Sequence, residues 1–364
     1  MSIAVAGGKT GGHFFPALAV AQTLRRLESR VKVYMIGSKH GMDSRLAPEA
    51  GFDYYSIPAI PLKRGLSARN LAIPFVLAYG AACAILLFKR TRTKAVFATG
   101  GFICVPVLIA ARLTGIKTFL QEQNSFPGIT TKLFAKRANA VFAAHSEVSQ
   151  RLHPRSNVVC TGNPLRPGFE IGSRSEGVKY FGLDPSAKTI FVLGGSQGAE
   201  AINSYIASNL ERLRSANGVQ LLWQTGRGSM DKYSQAFRNS RVPGTVLPFI
   251  DRMDLAYACA DVAICRAGAM TLAELAAAGT PSVLIPYPYA TENHQEYNAK
   301  VVAEKGAAIV VRQNEMVTSD ALGKALSLTA DENTRKAMSD KARSLHTPDA
   351  AENIASSILK GISS

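Results

Sequence analysis

Twice along this chain a short apolar run ends in glycines and hands over to a helical segment. "SIAVAGG" (2–8) leads into "PALAVAQTLRRL" (16–27), and "KTIFVLGG" (188–195) leads into "AEAINSYIASNL" (199–210). An apolar run of this length bounded by turn residues reads as a strand buried on both faces, the habit of parallel sheets. The first helical segment places Leu18, Ala21 and Leu24 on one side and a proline in its first turn, where the missing N–H costs nothing. Further runs follow at "VKVYMIG", "KAVFATGG", "KTFLQEQN", "NAVFAAH" and "NVVCTGNP". The pattern restarts after Pro164 and continues through "VQLLWQTG", "GTVLPFI", "DVAICRAGAMTLAELAAAG", "PSVLIPYP" and "AAIVV". Strands alternating with helices predict α/β architecture with parallel sheets. At about 150 residues per domain, 364 residues make two of them. The glycine-rich stretch 166–183 reads as the linker, and two facing domains would enclose a cleft.

Ligands of such sheets bind beyond the carboxyl ends of the strands, so the glycine loops are the first candidates for chemistry. "GGKTGGH" (7–13) contains a GKT, but a Walker loop would need its earlier glycine at Ile3, and G-x-G-x-x-G does not fit either. What remains is a glycine loop before a helix, which aims N–H groups at an anion, or simply a tight turn. "GGSQGA" (194–199) repeats the placement, with Ser196 as a hydroxyl donor. "GAMTLAE" (268–274) opens a helix with Thr271 near its start and Glu274 three residues on; the pair reads as a cap or, for Glu274, as an acceptor for a ribose diol. Polar residues at strand ends add Glu122, Gln123 and Asn124, the cation Arg166, and the cluster Asn293, His294, Gln295 and Asn298. Each alone is as consistent with a solvated loop.

The net charge is +16, from 42 basic and 26 acidic residues. It points to a polyanionic partner, to a phosphorylated substrate, or only to solubility. A nucleic-acid partner is not expected, because no recognised motif or aromatic–basic interleaving occurs. The five cysteines are scattered without a CxxC, which argues against a disulfide framework and a zinc site. No cleavable signal is expected, the first residues being strand-like. One segment departs from the α/β rhythm: "LAIPFVLAYGAACAILLF" (71–88) carries no charge and is flanked by Lys63, Arg64 and Arg69 before it and Lys89, Arg90, Arg92 and Lys94 after it. It is borderline for a span of about 20 residues. It reads as a mostly buried helix whose exposed end and basic flanks touch a membrane surface, or as a core helix.

Taken in order, "GGKTGGHFFPALAVA", "TGGF", "EQNSFPG", "TGNPLR", "GGSQGA", "CRAGAMTLAE" and "ENHQEYNA" resemble the MurG family, from about residue 3 to the closing "PDAAENIA". These are the UDP-N-acetylglucosamine–lipid I N-acetylglucosaminyltransferases of peptidoglycan synthesis. The resemblance implies a GT-B fold, two Rossmann-like domains with parallel sheets facing a central cleft. It implies an N-terminal acceptor domain over 1–165 that regains the final helix, about 347–364, and a C-terminal donor domain over 166–346. The donor would be UDP-GlcNAc, and the acceptor lipid I, an undecaprenyl-pyrophosphoryl-muramyl pentapeptide. The place would be an anionic membrane surface, the cytoplasmic face of the plasma membrane. The resemblance puts Thr10, Gly11, Gly12, Asn124, Arg166, Ser196 and Gln295 at the donor. Ile250 would sit on the uracil, and Ala269, Met270, Thr271, Leu272, Ala273 and Glu274 would form the phosphate and ribose site. His13 would stand near the reacting centre, and an inverting transfer needs a base there. No D-x-D triplet occurs, so an obligatory metal is not expected. The chain departs from the family's usual GGTGGH or GGSGGH by the extra Lys9, and from CRSGA by Ala267, which removes a hydroxyl. Two rival readings are a UDP-GlcNAc 2-epimerase of the same fold and a non-catalytic nucleotide-sugar-binding membrane scaffold.

Overall fold

The computed structural model describes residues 1–8, 10–61, 71–166, 169–195 and 197–363. The chain divides into two compact units, Met1–Pro167 with Thr347–Ser364, and Gly168–His346. The first holds seven strands: β1 (Ser2–Ala6), β2 (Lys32–Gly37), β3 (Asp53–Ser56), β4 (Thr93–Ala98), β5 (Lys117–Glu122), β6 (Ala140–Ala143) and β7 (Val158–Cys160). They pair in parallel in the order β3-β2-β1-β4-β5-β6-β7. The order reverses between β1 and β4, which makes their carboxyl ends a topological switch point. β3, "DYYS", is not among the expected strands. It is an edge strand of aromatic and polar residues, so it lacks the apolar run that marks a buried one.

Alternation along β1 builds the two cores. Ile3 and Val5 face one layer with Phe14, Val20, Phe97 and Phe142; Ala4 and Ala6 face the other with Tyr34, Phe88 and Leu108. The helix Gly11–Leu27 covers the first face, and the last helix, Ala350–Ser363, packs beside it with Ile354, Ala355 and Ile358 fully buried. Lys117 Nζ donates to the Gly361 carbonyl at 2.6 Å, which ties that helix to β5.

The helix Ile73–Thr91 covers the second face, and here the structure corrects the expectation of a mostly buried segment. Only 28% of its apolar window is buried. Gly80, Ala81, Ala84, Leu87 and Phe88 turn inward. The inward side needs glycine at position 80, because a Cβ there would overlap the Pro58 carbonyl. Phe75, Tyr79 and Leu86 are 78%, 64% and 67% exposed, on one outward stripe. Leu113, at the end of the adjoining helix Cys104–Leu113, is also exposed. Lys89, Arg90, Arg92 and Lys94 are exposed at the helix end; Lys63, Arg64 and Arg69 lie outside the described residues.

The second unit holds β8 (Lys188–Leu193), β9 (Val219–Gln224), β10 (Gly244–Leu247), β11 (Val262–Cys265), β12 (Ser282–Leu284) and β13 (Ala308–Val310). They are parallel in the order β10-β9-β8-β11-β12-β13, with the switch point between β8 and β11. Ile190 and Val192 face one core, Phe191 and Leu193 the other.

Candidate functional site

In the first unit the loop after β1 and the loop after β4 meet at the switch point. Thr10 precedes the helix Gly11–Leu27 in extended conformation, and its carbonyl accepts the N–H groups of His13 and Phe14. The earlier N–H groups, of Gly11 and Gly12, belong to the unpaired first turn that every helix has. His13 Nδ1 lies 2.8 Å from the Thr99 carbonyl oxygen. A carbonyl can only accept, so Nδ1 carries the proton and the neutral ring has its lone pair on Nε2. The Thr99 hydroxyl in turn donates to the His13 carbonyl at 2.8 Å. Thr99 therefore grips this residue at both backbone and ring.

Gly100 and Gly101 follow with φ of +95° and +80°, conformations that suit glycine. A Cβ on either would come within 3.3 Å of the His13 ring. The Cys104 thiol donates to the Gly100 carbonyl at 2.9 Å, and burial pushes it up to about 12, so it stays neutral beneath the loop.

The loop after β5 is organised by one buried carboxylate. Glu122, 3% exposed, accepts at Oε1 from Asn124 N (3.1 Å) and Nδ2 (3.2 Å), and at Oε2 from Gly128 N (3.0 Å) and Thr131 Oγ1 (2.5 Å). Asn124 thus has its amide nitrogen turned to Glu122, which directs Oδ1 as its acceptor end. Gln123 points the other way, into the sheet end, and donates to the Thr99 carbonyl at 2.8 Å. Arg166 lies in the first unit, its guanidinium 4.5 Å from the centre of the Phe15 ring, two residues beyond His13. Asp43 is fully buried under the first loop; it accepts from Ser38 N at 2.6 Å and Tyr54 Oη at 2.7 Å, and a Cβ on Gly8 would overlap its carboxylate. Burial, together with that carboxylate, drives the Tyr54 phenol up. Lys9 lies outside the described residues.

In the second unit the equivalent loops are 194–199 after β8 and 266–268 after β11. Ser196 lies outside the described residues. Gln224, at the end of β9, joins two of the expected segments: its Nε2 donates to the Gly195 carbonyl at 3.0 Å and its Oε1 accepts from Ile250 N at 2.8 Å. Ile250 is 2% exposed and packs in the core, so its side chain is no open platform and its N–H is already engaged. The helix Ala269–Ala278 starts after Gly268 with no side-chain cap, which leaves its first N–H groups to the loop side. Ala269 and Leu272 turn inward, whereas Met270, Thr271 and Ala273 are partly exposed. Glu274 is 6% exposed and accepts from Tyr257 Oη at 3.1 Å. Burial, and then that carboxylate, push the Cys265 thiol up.

The loop after β12 is held from below by Arg266. This side chain is nearly buried and donates to the carbonyls of Ile285 (3.1 Å) and Pro286 (3.2 Å) and to Gln313 Oε1 (2.7 Å). Burial lowers its pKa from the usual guanidinium value. Gln295 Oε1 accepts from Tyr287 N at 3.0 Å, so Nε2 is the end it presents. His294 lies beside it with Nδ1 on the Thr291 carbonyl at 2.7 Å.

Each unit therefore carries its own share of the expected residues in segments that follow its strands: Thr10, Gly11, Gly12, His13, Asn124 and Arg166 in the first, Ile250, 269–274 and Gln295 in the second. Asp43 and Gln224 are additions that no motif announced, and Thr99, although it opens the TGGF motif, was not among the expected site residues. Among the described residues no cluster of three or more His, Cys, Asp or Glu side chains is arranged to hold a metal ion.

Residues 3–143 match the glycosyltransferase family 28 N-terminal domain, and residues 189–354 the glycosyltransferase family 28 C-terminal domain. A UDP-N-acetylglucosamine–N-acetylmuramyl-(pentapeptide) pyrophosphoryl-undecaprenol N-acetylglucosamine transferase of Chlorobium luteolum is 38% identical over 366 residues, covering 99% of this chain and 98% of its own. The protein of the same name from Desulforudis audaxviator is 34% identical over 366 residues, with 99% and 98% covered. The crystal structure of Acinetobacter baumannii MurG aligns with a TM-score of 0.78 at 29% identity, over 99% of both chains.

Proposed function

The chain belongs to the MurG family of glycosyltransferases and carries its GT-B fold, and we infer that it transfers N-acetylglucosamine from UDP-GlcNAc to lipid I, making lipid II for peptidoglycan. The observation that carries the mechanism is the His13–Thr99 contact. It leaves Nε2 as the basic nitrogen of a neutral imidazole at the switch point of the first sheet. In the proposed step Nε2 takes the proton of the acceptor hydroxyl. That oxygen forms a bond to the anomeric carbon while the bond from this carbon to the UDP oxygen breaks, with inversion. The pyrophosphate charge that develops on UDP needs preorganised donors. The uncapped start of helix Ala269–Ala278 and the glycine loop 194–199, with Ser196, are suited to this, and Arg166 adds a fixed cation.

In this reading Thr10, Gly11 and Gly12 approach the donor through backbone. Asn124 Oδ1 and Gln295 Nε2 read the sugar, as acceptor and donor respectively. Ile250 meets the uracil through its main chain, and Glu274 meets the ribose by exchanging its bond with Tyr257 for one with a ribose hydroxyl. No metal bridge to the protein is required, a reading supported by the absence of a D-x-D triplet. The outward stripe of the helix Ile73–Thr91 and its basic end are proposed to rest on an anionic membrane surface, where the lipid acceptor resides.

The test is transfer of labelled GlcNAc from UDP-GlcNAc to a lipid I analogue, run beside His13→Asn. Product from the wild type and its near absence in the variant is the expected result. Conversion of UDP-GlcNAc to UDP-ManNAc without acceptor would instead establish the epimerase reading.

A further inference from the structure

The Thr99 carbonyl accepts two side-chain donors, His13 Nδ1 and Gln123 Nε2, each at 2.8 Å. Gln123 is 2% exposed, and the orientation of its amide follows from its partners. Nε2 faces the carbonyl of Thr99 and also the side-chain oxygen of Gln121, and neither of these can donate. Behind it the amides continue: Gln121 Nε2 donates to Asn163 Oδ1 at 2.9 Å, and Asn163 Nδ2 donates to the Gln123 carbonyl at 3.1 Å. Three buried amides from the ends of β5 and β7 thus converge on the peptide that orients the histidine.

We propose that Gln123 is a positioning residue for His13, acting through the Thr99 carbonyl to hold the ring in the tautomer that has Nε2 as its acceptor; this rests on His13 being the base of the transfer. Thr99 is followed by two glycines at positive φ. The Gly100 and Gly101 carbonyls are held by Cys104 Sγ and Thr130 Oγ1, whereas the direction of the Thr99 carbonyl is set by His13 Nδ1 and Gln123 Nε2. The second hydrogen bond fixes the direction of the carbonyl and occupies the lone pair that His13 does not use. Without it the peptide can tilt, and His13 is released to the tautomer with the proton on Nε2, which cannot accept one from a substrate. A buried acceptor left half-satisfied also favours such a tilt.

The experiment compares Gln123→Met with Gln121→Met, which disturbs the same amide chain but keeps the donor to Thr99. Histidine ¹⁵N spectra of the free enzyme, with His13 assigned from His13→Asn, report the tautomer. Steady-state kinetics report kcat and the KM for UDP-GlcNAc. For Gln123→Met we expect a His13 signal moved toward the Nε2–H form and a kcat lower by about tenfold to a hundredfold. The KM should stay within about twofold, as the donor does not touch Gln123 in this reading. Gln121→Met should retain the wild-type tautomer. If Gln123→Met does not fold, Gln123→Leu serves in its place, since it too has no proton to donate to Thr99. An unchanged His13 tautomer in the Gln123 variant, or the same change in both variants, overturns the proposal. A shifted tautomer together with full turnover by His13→Asn would leave the positioning intact and remove the base assignment instead.

Discussion

Replacing Phe75 and Leu86 together by serine tests whether the outward stripe of the helix Ile73–Thr91 is a membrane-docking surface. Burial of an apolar side chain of this size is worth about 1.5–3 kcal/mol. Phe75 and Leu86 are 78% and 67% exposed in the folded chain, so most of that gain is still open to a bilayer. Together they should contribute roughly 2–4 kcal/mol to partitioning, or roughly a 30- to 700-fold change in the partition coefficient. Both side chains are largely solvated already, so folding stability should move by only about 0.5 kcal/mol. Binding and folding are therefore separable. The assay is sedimentation with anionic vesicles, with thermal unfolding measured alongside. Val317→Ser is the control, a 77% exposed aliphatic on the other unit. The wild type should also bind less well as salt rises, because Lys89, Arg90, Arg92 and Lys94 attract the anionic headgroups through screened charge. An unchanged partition coefficient for the double variant, or an equal loss for Val317→Ser, would show that the stripe is not a docking surface.

Three other outcomes follow from the sites. His13→Asn should lower kcat by about 10²–10⁴, the usual contribution of a positioned base, with a smaller effect on donor affinity measured by calorimetry. Glu122→Gln replaces one carboxylate oxygen by an NH₂ group; the Gly128 N–H loses its acceptor at a cost of about 1–3 kcal/mol, and hydrogen exchange at that amide should accelerate roughly 5- to 150-fold. Activity should persist in excess EDTA; complete loss restored by Mg²⁺ or Mn²⁺ would show that the leaving pyrophosphate needs a metal after all.

The strands were legible because parallel sheets bury both faces, so β1, β4 and β8 appear as apolar runs that lead into paired glycines, and β11 as an apolar run. β3 was not, because an edge strand meets different demands and "DYYS" is half polar. The burial of the helix Ile73–Thr91 could not be read from composition. An outward Phe75 and an inward Phe88 are the same residue type, and the contact of Gly80 with Pro58 is a tertiary fact. The same limit applies to the site. The loops carrying His13 and Ala269–Glu274 stand out as strand-to-helix turns. The partner of His13, however, is a backbone carbonyl 86 residues away, and a carbonyl has no sequence signature. Gln224 and Asp43 are ordinary polar residues until the fold brings Gly195 and Ile250 to the one and the Gly8 loop to the other.

The last helix has a consequence for how the chain is made. Ile354, Ala355 and Ile358 complete the core layer begun by Ile3 and Val5, and their helix backs the one that starts beside His13. On the ribosome the first unit emerges early but lacks these side chains until the helix Ala350–Ser363 leaves the exit tunnel. The second unit is contiguous and has its whole core as soon as it is out. Maturation therefore runs against the usual N-terminal-first order of domain folding. The unit that carries His13 is completed after the other, and a nascent chain that stops short of residue 350 lacks the buried side chains that back the helix Gly11–Leu27.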